Sequence, residues 1–371
     1  MKYLPRIALF LAIPALLLAL PWWTLIGATS SGAVFWIGTA VFLLAYLALP
    51  ASMFLGHGPA QSDAASIVGD TLLGVLWVLF SWSAIGTVLG FGLAAAGVDE
   101  RARIVAVAVL AVTVALVAYG VFEARRVPRV RTLEVPIRGL GAGLDGLRLV
   151  VVTDTHFAAL NRLRWSERVV EVVNSLQPDI ACHAGDLADG SVAKRHAQVD
   201  PLGKVEAELG RFYITGNHEY FGDAPGWIEH MAGLGWQPLR NQHEVITRGG
   251  DRLVLAGIDD PTGAGLPGHG PDLRAALDGA APDAPVVLLA HQPRQVADAA
   301  AAGVALQISG HTHGGQIWPF HYLVRLEQPV VAGLSWHGGT QLYTSRGTGF
   351  WGPQLRVFAP SEITVLVLRP E

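Results

Sequence analysis

A chain of 371 residues has room for more than one domain, and this one is unusually apolar, with 51% hydrophobic and 15% charged residues. Its formal net charge of -4, with no large basic patch, argues against a nucleic-acid binder held by phosphate neutralisation. One cysteine, Cys182, excludes an internal disulfide framework and any multi-cysteine zinc site.

From the N-terminus, apolar stretches lie at Ile7 to Ile26, Ala33 to Leu55, Ile67 to Ala95 and Ile104 to Phe122. Each is near the ~20 residues needed to cross hydrocarbon. Segments this long and this free of charge fit poorly as buried helices of a soluble protein. Lys2 and Arg6 precede the first apolar core, as in a signal peptide, but further spans follow, so it reads as an anchor. Pro14 and Pro21 in the first span, and Gly86, Gly90 and Gly92 in the third, are tolerable inside a helical bundle. Four spans put both termini on one side with Lys2, Arg6, Arg125, Arg126, Arg129 and Arg131. The opposite side holds Arg101 and Arg103, offset by Asp99 and Glu100. That bias predicts a multi-pass protein of the inner or plasma membrane whose remaining domain is cytoplasmic.

After Val127-Pro128 the pattern changes to short apolar runs separated by helical and turn-rich stretches. Strands are predicted at Leu147 to Thr153, Asp179 to Ala184, Arg211 to Thr215, Leu253 to Ile258, Val286 to Ala290, Leu306 to Ser309, Gln341 to Thr344 and Ile363 to Leu368. Arg164 to Leu176 reads as an amphipathic helix. Strands that alternate with helices and then dominate suggest a layered α/β/β/α sheet sandwich. The expected organisation is a membrane module over residues 1–126, a linker with a first strand over 127–146, and an α/β domain over 147–371. The Gly- and Pro-rich loop Asp259 to Pro271 is long for a turn, which favours a lid or substrate loop.

Five polar clusters punctuate the α/β region in order: Asp154-Thr155-His156, Gly185-Asp186, Gly216-Asn217-His218-Glu219, His291, and Gly310-His311-Thr312-His313. Three of them directly follow the apolar runs Leu147 to Thr153, Asp179 to Ala184 and Leu306 to Ser309, and open α/β sheets gather ligands where strands end. Each cluster alone is a weak signal, since Asp-x-His or Gly-Asp arises often by chance. Together they suit phosphate-ester chemistry, in which negative charge builds on both the attacking and the leaving oxygen. Two divalent cations about 3.5–4 Å apart can generate a hydroxide at neutral pH and stabilise that charge. Such a pair needs a bridging carboxylate, for which Asp186 is placed, and neutral imidazole and amide ligands to complete the shells.

These motifs, in this order, closely resemble the calcineurin-like metallophosphoesterase family over Leu147 to Leu368. The resemblance implies a metallophosphoesterase domain carrying two divalent ions of Mn, Zn or Fe type. It implies that Asp154, His156, Asp186 and His313 surround one metal, and that Asp186, Asn217, His291 and His311 surround the other. His218 matches the family's non-ligand histidine, which contacts the phosphate and protonates the leaving oxygen, and Glu219 would orient it. The stretches Gly310 to Phe320 and Ser345 to Pro353 are similar to a membrane-associated bacterial subgroup that includes enzymes resembling UDP-diacylglucosamine pyrophosphohydrolases of lipid A synthesis.

Other polar residues carry less. Asp189 reads as a loop or helix-cap residue, and His183 should face away from the site because side chains alternate along a strand. His196, His230, His243 and His269 read as surface or loop residues. Asp259-Asp260 fits a support for a ligand or a turn equally well. Arg346 is a candidate for holding a substrate phosphate, with an ordinary surface arginine the equal alternative. Trp318, Phe320, Tyr322, Trp336, Phe350 and Trp351 either pack over the sheet rim or face a membrane interface. The expected function is a membrane-anchored hydrolase of a phosphorylated small molecule or lipid, with no nucleic-acid partner. The alternative is a non-hydrolytic carrier or scaffold with a regulatory metal domain, which the scarcity of ionisable residues in the spans disfavours.

Overall fold

The structure is a computed structural model that describes residues 4–371, with side chains from residue 12 onward. It forms two compact units.

The first unit is helical: α1 (Leu4–Trp22), α2 (Gly32–His57), α3 (Asp63–Ala95) and α4 (Arg101–Arg125). Among the described residues, three helices, α2 to α4, are long and apolar enough to cross a membrane. The described part of the first predicted span is shorter, Ala12–Gly27, and its last turn, Trp23–Gly27, widens to a π-helix. The beginning of that span lies outside the described side chains. Val34, Trp36, Ile37, Val41, Leu44 and Leu47 of α2 are exposed, an apolar surface that water would penalise. Several hydroxyls along the helices bond a carbonyl one turn back: Thr24 donates to the Leu20 carbonyl at 2.9 Å, Ser81 to Trp77 at 2.8 Å and Thr87 to Ser83 at 2.9 Å. Ionisable pairs here include His57 Nε2 to Asp70 Oδ1 at 2.9 Å and, on the loop before and the start of α4, Arg103 to Glu100 at 3.3 Å. The same unit includes Ile317–Pro319 and Gly352–Val357. Ile317, Leu355 and Val357 form a buried cluster with Val78, Trp77 Nε1 donates to the Ile317 carbonyl at 3.1 Å, and the Trp318 ring lies 5.9 Å from Trp82.

The second unit is a four-layer α/β/β/α sandwich. Its strands are β1 (Arg129–Ile137), β2 (Arg148–Val152), β3 (Ile180–Ala184), β4 (Arg211–Ile214), β5 (Gln237–Pro238), β6 (Gln242–Arg248), β7 (Asp251–Gly257), β8 (Val286–Leu289), β9 (Leu306–Ser309), β10 (Gly333–His337), β11 (Thr340–Thr344) and β12 (Glu362–Pro370). One sheet runs β1-β12-β2-β3-β4-β5 and the other β10-β11-β9-β8-β7-β6. Period-two alternation builds the layers. Leu149, Val151, Cys182, Phe212 and Leu366 meet Leu253, Leu255, Val287, Leu306 and Ile308 between the sheets. Their neighbours Val150, Val152, Ala181, Tyr213 and Val365 face outward onto helix α5 (Leu163–Ser175) and its surroundings. On α5, Trp165, Val169, Val170 and Val173 are buried, which is the helical stripe that matches that sheet face. On the other side, Ala256, Leu288 and Ala290 pack under Ala276 and Ala299. Cys182 is free and buried, and burial pushes its thiol up to about 12, which leaves it an inert core residue.

Candidate metal centre

Strands β2, β3 and β4 are mutually parallel, as are β7, β8 and β9. Parallel strands deliver their C-terminal ends to one edge, and there the polar clusters stand. Asp154 follows β2, Asp186 follows β3, His291 follows β8, and His311 and His313 follow β9. Asn217 and His218 open the short helix Asn217–Phe221 just after β4.

The turns that re-aim these side chains are strained. Asp154, His156, Asp186, His311 and His313 have φ of 53°, 44°, 53°, 71° and 51°, the left-handed region that costs residues with a Cβ about 1–3 kcal/mol each. Such outliers persist where the surroundings over-determine them, commonly at functional sites. Gly185 also has positive φ, 92°, and a Cβ there would lie 2.6 Å from His291 Nδ1. A Cβ on Gly310 would collide with the Asp154 carboxylate. The glycines of the motifs therefore permit the close approach of one cluster to another.

Three groups of donor atoms result among the described residues, His156, Asp189 and His218 forming one of them. Asp154, His156, Asp186 and His313 place one donor atom each within 4.8 Å of one another, and so do Asp186, His291 and His311. Asp186 belongs to both. Its Oδ2 lies 3.1 Å from His291 Nε2 and 3.5 Å from His156 Nε2, while its Oδ1 accepts the His218 backbone N–H at 2.9 Å. His156 Nε2 faces His313 Nε2 at 3.1 Å. Asn217 Oδ1 is 2.9 Å from His311 Nδ1, which brings it into the second group. Thr153 Oγ1 and the His311 N–H hold the two oxygens of Asp154, each at 2.8 Å. His291 Nδ1 donates to the Ala184 carbonyl at 2.8 Å; that fixes its proton and turns Nε2 toward Asp186.

Electrostatics fit a cation between these groups. Burial, reinforced by the Asp186 charge, raises the Asp154 carboxyl. Burial also opposes ionisation of Asp186, yet His291, His218 and His156 hold it well below the usual carboxylate range. Burial and the His291 charge lower His311 to about 3, leaving its imidazole neutral. His291 Nε2 is buried without a hydrogen bond. Two buried carboxylates beside buried imidazole nitrogens that turn toward one another suit divalent cations.

His218 stands beside this edge. Its Nδ1 is 2.7 Å from Asp189 Oδ1, and the same oxygen lies 3.0 Å from His156 Nδ1. Burial lowers the His218 pKa, but Asp186 and Asp189 outweigh it and raise the group to about 9. Asp189, read from sequence as a loop or cap residue, is thus a shared partner of two site histidines. Glu219, expected against His218, instead accepts backbone N–H groups: Leu187 and Gly216 at 2.5 Å and Asp186 at 3.2 Å. It ties the second motif to the third. Arg346 lies with a guanidinium nitrogen 3.8 Å from Glu362, and its Cγ would be 2.9 Å from a Cβ on Gly314, the residue after His313.

The remaining polar residues sort clearly. His183 faces away, with Nε2 3.1 Å from Thr155 Oγ1. Asp260 binds Gln292, beside His291, at 2.8 Å, and Asp259 takes Arg240 at 2.7 Å; both are buried supports rather than solvent turns. His196 and His230 share Asp200, and His243 holds the Ala276 carbonyl. His269 bonds Tyr220 at 3.2 Å. Phe350 is buried against Arg162, whereas Phe320, Tyr322, Trp336 and Trp351 stay exposed.

Residues 147–315 match the profile of the calcineurin-like phosphoesterase family. The chain is 38% identical to a transmembrane protein with metallophosphoesterase domain of Danio rerio, across 70% of this chain and 62% of that one. The chain spans about three fifths of the length of that protein and of its Bos taurus counterpart. It is 32% identical to an uncharacterized metallophosphoesterase of Campylobacter jejuni, covering 70% of this chain and 68% of that one. An uncharacterized metallophosphoesterase of Bacillus subtilis is 30% identical over 61% of this chain and 80% of its own. Bacterial relatives matched over two thirds or more of their length, together with a profile that spans all five clusters, place this chain in the calcineurin-like phosphoesterase family.

Proposed function

We propose that the protein is a membrane-anchored phosphoesterase with a dinuclear metal centre, hydrolysing a phosphate ester or pyrophosphate of a small molecule or lipid. The observation that carries this reading is Asp186, whose carboxylate belongs to both donor groups. Asp154, His156, Asp186 and His313 would hold one divalent ion, and Asp186, Asn217, His291 and His311 the other. When bound, such ions lower the pKa of water and neutralise charge on phosphoryl oxygens.

The chain's own residues do the rest. His218 carries a proton on an imidazole held by Asp189 and presents its other nitrogen toward the leaving oxygen; positioned acid–base groups supply roughly 10²–10⁴ in rate. Glu219 fixes the backbone of Asp186, Leu187 and Gly216 and so keeps the bridging carboxylate in register. Arg346, lying along Gly314, contributes positive charge to the outer phosphate oxygens. The helical unit is read as a multi-pass anchor, and the Lys and Arg bias at its ends favours a cytoplasmic site.

Purified full-length protein in nanodiscs with Mn²⁺, assayed against phosphomonoesters, phosphodiesters and nucleotide-diphosphate sugars, tests the reading. Turnover of at least one class that is lost on chelation is expected. No turnover of any class by protein carrying two metals would refute it.

A further inference from the structure

His218 is flanked by two aromatic rings. Phe221 lies at 5.3 Å and 74° to it, and Trp351 at 5.6 Å and 67°. Both are largely solvent-facing for such apolar side chains, 68% and 46% exposed respectively. Trp351 is nonetheless held firmly. Its backbone N–H donates to Gln316 Oε1 at 2.9 Å, and Gln316 Nε2 donates back to its carbonyl at 2.7 Å. Its loop is seated on the first cluster, where Thr348 N–H donates to the Thr153 carbonyl at 2.7 Å and Gly349 N–H to the Asp154 backbone carbonyl at 2.9 Å. A Cβ on Gly349 would clash with the Thr155 carbonyl. Packing does not account for a loop anchored this closely to the site yet presenting an open indole beside the proposed acid.

We infer that Phe221 and Trp351 form an apolar wall on the leaving-group side of His218 and select phosphate esters whose leaving alcohol carries an aliphatic body, as an acylated lipid alcohol does. The inference rests on the phosphoesterase reading above. Because His218 delivers its proton to the leaving oxygen, the rings beside it meet whatever that oxygen carries. A planar nucleobase would need partners for its polar edge as well as stacking. The polar side chains next to the wall are committed: Gln316 brackets Trp351 at both ends, and Asp189 serves His156 and His218. What the wall offers is apolar area.

The test uses full-length protein in nanodiscs with Mn²⁺ and ethyl, butyl and hexyl phosphate below their aggregation range. Alcohol basicity is nearly constant along this series, so chain length reports contact. A fully buried methylene is worth about fourfold and a half-buried one about twofold, so kcat/KM should rise about 16-fold from ethyl to hexyl. In Phe221→Ser with Trp351→Ser that ratio should fall to about 2, with Trp351→Phe between. Calorimetric binding of ethyl- and hexylphosphonate, with no turnover involved, should show the same preference and the same loss. A flat chain-length profile, a slope that survives in the double variant, or a preference for a nucleoside monophosphate over hexyl phosphate would overturn the inference while leaving hydrolysis intact. Absence of hydrolysis of every ester refutes the phosphoesterase reading instead, and the phosphonate arm still reads the wall.

Discussion

Replacing Glu219 by Gln is the sharpest probe of how the site is held. The substitution keeps volume and shape, so it opens no cavity. The carboxylate accepts three backbone N–H groups, from Asp186, Leu187 and Gly216, in a fully buried position. A glutamine can keep its oxygen toward Asp186 and Gly216, but its amide then points N–H against the Leu187 N–H. One charge-assisted bond is lost, about 1.5–3 kcal/mol, and one buried donor is orphaned, about 1–3 kcal/mol more. The sum, about 2.5–6 kcal/mol, is a large part of a typical domain's stability. For a unit of this size each kcal/mol moves Tm by about 2–4 °C, so the unfolding transition of the second unit should fall by roughly 5–24 °C. Thermal unfolding followed by near-UV circular dichroism, with metal content measured before heating, reads both effects. A Glu219→Gln protein with Tm within ~2 °C of the parent and full metal content would refute the reasoning.

Three further outcomes follow from the same geometry. His218→Ala should keep its metals and lose roughly 10²–10⁴ in turnover, less on an aryl phosphate whose leaving group needs no proton; metal loss in parallel with activity would make His218 a ligand. Asp189→Asn removes the oxygen shared by His156 and His218 and should cost about 10–100-fold in metal affinity or activity, the usual effect of altering a ligand's hydrogen-bonded partner, which metal titration with a fluorescent chelator would measure. A C-terminal tag should resist protease in intact spheroplasts and be cleaved once the membrane is opened; cleavage in intact spheroplasts would put the α/β unit outside and turn the search toward envelope substrates.

Much of the fold was legible because its core strands announce themselves. Leu306 to Ser309 was located to the residue, and β2, β3, β8 and β11 to within one residue at either end, since central strands buried on both faces read as continuous apolar runs. The edge strands of the second sheet did not. β6, with Gln242, His243, Glu244 and Arg248, and β10, with exposed Trp336, pair on one side only, so their polar residues hide the period. The residues that gather into the two donor groups stood out for a similar reason: each cluster follows a strand. Asp189 was not, because it belongs to no strand. An isolated bridge between Phe157 and Ala188 carries it to His218, a long-range pairing without a local signature. Glu219 looked like a partner of its neighbour in sequence, but the helical turn from Asn217 sends it back onto the backbone of Asp186. Nor did the sequence separate the aromatics. Trp318 belongs with the helical unit and Trp351 with the α/β unit, a division set by loop paths that periodicity does not encode.

The central claim is that Asp186 joins two metal sites into one catalytic centre. Metal analysis of purified full-length protein by plasma mass spectrometry, alongside turnover of its best phosphate ester, tests it on the parent and on Asp186→Asn. The parent should carry about two divalent ions per chain, as a two-metal centre requires, and the variant should lose at least one of them together with nearly all turnover while its circular dichroism stays native. A variant that keeps both ions and near-parental turnover would contradict the account.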